Sequence, residues 1–113
     1  METPDALAAL SALSHESRLA VYRALVQAGL EGLSVGQLRA RVGLPPATLS
    51  AQLNQLRAAA LVCDAREGRV VRVRADYGRM NALIDYLTEN CCGGVGCAPA
   101  AACQPKSRSK KSP

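Results

Sequence analysis

The sequence predicts a mainly α fold with one β-hairpin, in the α+β class. Three observations carry this. Apolar residues recur at spacings of three and four in several stretches before Ala60. The period then shortens to near alternation over Arg69-Val70-Val71-Arg72-Val73-Arg74. A helical stripe returns afterwards in Tyr77, Met80, Leu83, Ile84 and Leu87.

Each element has its own signal. Thr3-Pro4-Asp5 reads as an N-cap, a proline at the first helical position and an acid in the first turn. Leu7 and Leu10 then share one face of a short helix. Ser14 caps a second helix, His15 to Ala28, with Leu19, Tyr22, Leu25 and Val26 as its buried stripe and Gly29 as its stop. Ser34-Val35-Gly36-Gln37 has the spacing of a capping box, and the helix it starts runs to Val42 and ends at Gly43. Pro45-Pro46 forces an extended approach and a new helix start, because proline is tolerated only in the first turn. In helix 46–59, Leu49, Leu53 and Leu56 make a narrow apolar stripe. Thr48, Ala51, Asn54 and Gln55 lie opposite, with Ser50 and Gln52 on the flanks. Leu61 to Arg66 and Arg69 to Arg74 form the hairpin, with Gly68 supplying positive φ. Asp76 starts the last helix, which gives out near Asn90.

The chain has 113 residues, room for one domain. A chain this long buries roughly two-thirds of its unfolded surface. It has no Phe or Trp and three Tyr, so the core must be Leu, Val and Ala. A large enzyme with a lid and a cofactor cradle is excluded by size; no catalytic residue and no organic cofactor are assigned. The longest apolar run, Ala58 to Cys63, falls far short of the ~18 residues of a membrane span. Glu2 and Asp5 precede any basic residue, unlike a secretory leader, so a cytoplasmic location without a membrane partner is expected.

The net charge of +5 is unevenly spread. Residues 1–38 carry −2, residues 39–79 carry +5, residues 80–103 carry −2, and the last ten carry +4 from Lys106, Arg108, Lys110 and Lys111. A basic middle between acidic flanks suits a nucleic-acid face. A solvated Arg-rich surface would look the same by charge alone.

Helix, helix, helix-turn-helix, hairpin, helix is the order of a winged helix-turn-helix domain. In that arrangement the polar face of helix 46–59 enters the major groove of double-stranded DNA, offering Thr48, Ser50, Gln52, Asn54 and Gln55. Arg66, Arg69, Arg72 and Arg74 of the hairpin lie along the backbone or minor groove. The competing reading is a helical domain with an exposed polar helix.

The chain resembles the ArsR/SmtB-type metalloregulatory repressors over roughly residues 6–92. The resemblance rests on Ala12-Leu13-Ser14-His15-Glu16-Ser17-Arg18-Leu19, on Leu33-Ser34-Val35-Gly36-Gln37-Leu38, on Gly43 through Leu53, and on Leu61-Val62 leading into Arg66-Glu67-Gly68-Arg69. It implies a homodimer, paired through its first and last helices, that represses its own operon from an imperfectly palindromic operator until a metal or metalloid binds. Three departures matter. Members that sense arsenic through the first helix of the helix-turn-helix carry Cys-Val-Cys there, where this chain has Ser34-Val35-Gly36. Members that sense zinc between the last helices need histidines, and the only one here is His15, read as a surface residue of the first turn. Gln52 stands where many members have histidine.

Five cysteines are an odd number, which disfavours a disulfide framework. Cys63 reads as a small buried hydrophobe. Cys91, Cys92, Cys97 and Cys103 are spaced C-C-x4-C-x5-C, which is hard to explain as core. Structural zinc prefers paired C-x2-C knuckles. A redox switch lacks C-x-x-C, and Cys91-Cys92 follow a helix C-terminus, where the dipole disfavours thiolate. Trivalent arsenic or antimony wants three soft sulfurs in a pyramid. Cys91 and Cys92 with Cys97, returned by Gly93-Gly94-Val95-Gly96, offer that set; Cys103 is an alternative third ligand. Arsenic-responsive relatives with a vicinal pair at the end of the last helix are similar in Asn90-Cys91-Cys92.

The organisation expected is therefore a winged helix-turn-helix DNA-binding and dimerisation domain over 1–92, a cysteine-rich inducer segment over 91–103 and a basic, disordered tail over 104–113. The function expected is a dimeric repressor released from operator DNA by arsenite or antimonite. Cadmium, zinc or redox sensing on the same fold is the alternative, as is a small thiol metal chaperone.

Overall fold

A computed structural model describes residues 1–90. The elements run α1 (Thr3–Leu13), α2 (Glu16–Ala28), β1 (Leu33–Ser34), α3 (Val35–Val42), α4 (Pro46–Ala58), β2 (Val62–Glu67), β3 (Val70–Ala75) and α5 (Tyr77–Thr88). The sheet has the order β1-β3-β2 and is antiparallel throughout. The expected α+β winged helix-turn-helix is the fold observed, with α3 and α4 as the helix pair and β2-β3 as the wing.

The helix caps follow local hydrogen bonding, with two shifts of one residue. The cap of α1 is Glu2, not Thr3, because the Asp5 carboxylate accepts from the Glu2 N–H at 3.1 Å. The cap of α2 is His15, not Ser14: its Nδ1 accepts from the Ser17 N–H at 3.2 Å. Ser34 and Gln37 form the expected reciprocal box at the start of α3. Gly43 ends α3 at φ 71°. Pro45 precedes α4, and Ala59 ends it. Asp76 caps α5 by accepting from Arg79 N–H at 3.0 Å.

The core differs from the helical stripes in an informative way. Leu25, Leu38, Leu49, Leu53, Leu56, Leu61, Val21 and Val73 are its largest buried side chains. In α1, however, the buried residues are Ala6, Ala9 and Ala12, whereas Leu7 and Leu10 face outward. In α2, Val21, Tyr22, Ala24 and Leu25 are buried, and Leu19 and Val26 are exposed. A three-four spacing marks a face but does not say which of two adjacent faces the neighbours cover. Polar contacts tie α1 to α5: Asp5 pairs with Arg79 at 3.5 Å, and the Thr3 hydroxyl hydrogen-bonds the Tyr86 hydroxyl. Tyr77 donates from its hydroxyl to the Val26 carbonyl at 2.9 Å, fixing α5 on α2.

Strand β1 was not expected. It is two residues long and pairs Leu33 with Val73 and Ser34 with Arg72, too short for any periodicity to reveal. Gly32 leads into it at φ 68°, packed so closely that a Cβ would collide with the Val73 carbonyl oxygen. The hairpin strands sit one residue later than expected. Gly68 alone of the two turn residues has positive φ, which fits a two-residue turn opened by glycine.

Candidate nucleic-acid interface

The geometry of the interface follows from which side of α4 the core takes. Leu49, Gln52, Leu53 and Leu56 point inward. Ser50, Ala51, Asn54 and Gln55 are exposed and Thr48 is half-buried. Small and amide side chains thus line the free face, and such groups reach base edges and phosphates without steric obstruction. Arg57 closes the face at its C-terminal end. Its guanidinium donates to Asn54 Oδ1 at 3.0 Å and to Asp64 at 3.2 Å. Arg57 therefore links α4 to the wing.

Gln52 corrects the sequence expectation. It was placed on the flank of the free face; it is buried, and its Oε1 accepts from Arg18 Nη1 at 3.1 Å. Glutamine continues the stripe of Leu49, Leu53 and Leu56, which hydropathy alone assigns to the polar side.

The wing arginines do not share one face. Side chains alternate across a strand. In the β2-β3 register, Val62, Asp64 and Arg66 face the same way as Ala75, Val73 and Val71. Val62, Val73 and Ala75 are core, so Arg66 leaves on the α4 side of the sheet, beyond the core edge. Cys63, Ala65 and Glu67 share the other face with Arg74, Arg72 and Val70. There Arg72 donates to Glu67 at 3.1 Å and to the Gly32 carbonyl at 3.4 Å. These bonds and its half-buried position engage Arg72 in the sheet's back face. Arg66 and Arg72, both expected along the DNA backbone or minor groove, thus stand on opposite faces of the wing. Arg69 is exposed in the turn itself.

The back face also holds Cys63, which is half-exposed, not a core hydrophobe. Arg74 Nε donates to its sulfur at 3.4 Å, the largest of the influences that raise the pKa of this guanidinium. A shallow cavity of ≈ 410 Å³ beside it is lined by Leu30, Glu31, Ala65, Glu67, Arg72 and Arg74, so acids offset its arginines. Arg39 and Arg41, exposed in the last turn of α3, are further basic residues of the helix pair, outside the set expected from the sequence. The only signal for them was the charge excess of residues 39–79.

Among the described residues no group of three or more His, Cys, Asp or Glu could hold a metal ion, and no helix is long and apolar enough to cross a membrane. Cys91, Cys92, Cys97 and Cys103, the expected inducer ligands, lie outside the described residues, as does the tail over 104–113.

Comparison with known proteins places this architecture. A helix-turn-helix domain family matches residues 13–62. No curated protein matches the sequence significantly. An ArsR-like transcriptional regulator from Rhodococcus sp. RHA1 is 25% identical, with a TM-score of 0.69, covering 80% of this chain and 83% of its own. The transcriptional repressor BigR from Xylella fastidiosa is 30% identical, with a TM-score of 0.59 over 76% of this chain and 85% of its own. The homodimeric winged helix-turn-helix domain of Mb0332 from Mycobacterium bovis, a possible ArsR-family regulator, shares the fold at 23% identity, with a TM-score of 0.60 over 84% and 88%. The chain belongs to the ArsR family of DNA-binding transcriptional regulators, built on a winged helix-turn-helix.

Proposed function

We propose that the protein is a homodimeric repressor that holds an operator through α4 and the wing and releases it when trivalent arsenic or antimony is captured by Cys91, Cys92 and Cys97. The single observation that carries the inducer is the sequence C-C-x4-C-x5-C immediately behind α5. Soft thiolates are the donors this ion prefers. The described part of the chain offers only Cys63 as a thiol, and Ser34 and Gly36 stand in α3's approach where a thiol pair would be needed.

Support for the dimer is the apolar surface left on two neighbouring helices. Leu7 and Leu10 of α1 and Ile84 and Leu87 of α5 are between 41% and 61% exposed. BigR is a repressor and Mb0332 a homodimer, and both carry this fold. Capturing an ion directly behind α5 would bear on that seam, and a coupling of ~1–3 kcal/mol lowers operator affinity by ~5–150-fold.

The test is operator release. Arsenite should release the wild type and the Cys63→Ser variant, but not Cys91→Ser or Cys92→Ser, each of which should still bind the operator. Cys97→Ser should lose the response and Cys103→Ser should keep it. An arsenic-edge absorption spectrum of the complex should show a three-sulfur shell. Release of the Cys91→Ser and Cys92→Ser variants by arsenite would overturn the metalloid reading; release by cadmium, zinc or a disulfide oxidant in its place would put the divalent-metal or redox reading ahead.

A further inference from the structure

The joint between Arg18 and Gln52 is the feature that family membership leaves unexplained. Gln52 is 9% exposed, the polar residue buried in the core among the described residues. A leucine at this position would extend the stripe of Leu49, Leu53 and Leu56 without needing a partner. The glutamine instead accepts from Arg18 Nη1 at 3.1 Å, while Arg18 Nε donates to the Ala12 carbonyl at 2.7 Å. Ala12 lies in the last turn of α1, where carbonyls have no partner within the helix. One planar guanidinium, itself on α2, thus joins the end of α1 to the middle of α4.

The leucines set which face of α4 turns inward, but apolar packing is non-directional and leaves small rotations of the helix about its own axis cheap. A guanidinium fork with two acceptors is directional. Rotation of α4 decides where Ser50, Asn54 and Gln55 point. We propose that Arg18 and Gln52 are positioning residues that set the rotation of α4, so that Gln52 governs operator discrimination without touching a base. This rests on the DNA-binding face described above and not on the identity of the inducer.

The test uses the full chain, a duplex selected from a random-sequence pool by the wild-type protein, and a scrambled duplex of equal length. The folded fraction is measured by circular dichroism at the same temperature. Gln52→Leu and Arg18→Met should each cut the preference for the selected duplex by about tenfold, with binding to the scrambled duplex unchanged. Gln52→Glu should keep the preference to within about threefold, because its carboxylate still accepts from Arg18. If Arg18→Met does not fold, Arg18→Lys takes its place and should lose the same preference, since an ammonium is not a fork. The proposal fails if Gln52→Glu is as impaired as Gln52→Leu, which would place residue 52 against the DNA. It fails equally if Gln52→Leu retains full preference, or if both duplexes weaken together, which would make the joint mere support for the fold. A wild type that selects no duplex would defeat the DNA-binding reading itself, a result distinct from all of these.

Discussion

Gly32 and Tyr22 make opposite predictions for mutation. Gly32 occupies a left-handed conformation, and a Cβ there would also lie 2.9 Å from the Arg74 Cβ. Gly32→Ala should therefore destabilise the fold by more than ~2 kcal/mol, read as a lower urea midpoint. Tyr22 is the opposite case. Its ring fills the core, but its hydroxyl is buried without a hydrogen-bond partner among the described residues. An unmet buried hydroxyl costs about 1 kcal/mol or more, so Tyr22→Phe should raise the melting temperature. Burial also raises the Tyr22 pKa from its ordinary 10.0, with Tyr77 and Asp76 adding to the shift. Above pH 10 the unfolded chain ionises this group and the folded chain resists. Stability attributable to Tyr22 is intact below pH 10 and falls as pH rises beyond it, and the Phe variant should lack that component of the decline.

At the scale of elements, the division of the wing into two faces separates the roles of its arginines. Arg66→Ala and Arg69→Ala should weaken binding to every duplex and lower the salt slope by about one per lost phosphate contact. Arg72→Ala should leave the slope unchanged and loosen the wing, seen as faster amide exchange in β2 and β3. Ser50→Ala and Asn54→Ala should act on the selected sequence alone. Most of this architecture was legible in the sequence because caps, prolines and the hairpin turn are local. Ser34 with Gln37, Gly43, Pro46, Gly68 and Asp76 each act within four residues and each fell where expected. What was not legible depends on tertiary neighbours. Nothing near Leu33 announces that β3 will pair with it. Nothing near Gln52 announces that Arg18, 34 residues earlier, will draw it inward. The strand parity that parts Arg66 from Arg72 is computable from the sequence, but only once the register is known. Thr48, Ser50, Asn54 and Gln55 needed only the leucine stripe for their placement.

At the scale of the molecule, the exposed apolar residues of α1 and α5, the seam of the proposed dimer, decide which mutations report on assembly. Leu83 is 3% exposed and belongs to the core of its own subunit, so Leu83→Glu would unfold the chain. Ile84→Glu or Leu87→Glu, at exposed positions, should yield folded monomers with greatly weakened operator binding, resolved by sedimentation. The makeup of α1 has a further effect. Its inward side is three alanines, while its leucines look out. A buried CH₂ contributes about 0.8 kcal/mol, so alanine methyls hold this helix to its own subunit far less firmly than leucines would. The leucines add their share only when a second subunit covers them. Mass action then couples folding to dosage: the unfolding temperature should climb as protein concentration is raised, and dilution should fray α1 before the rest of the subunit. If the dimer pairs as proposed, a cell holding few copies would keep them partly unzipped at the N-terminus and exposed to proteases, so that the abundance of the regulator has a floor set by the affinity of the subunits for each other.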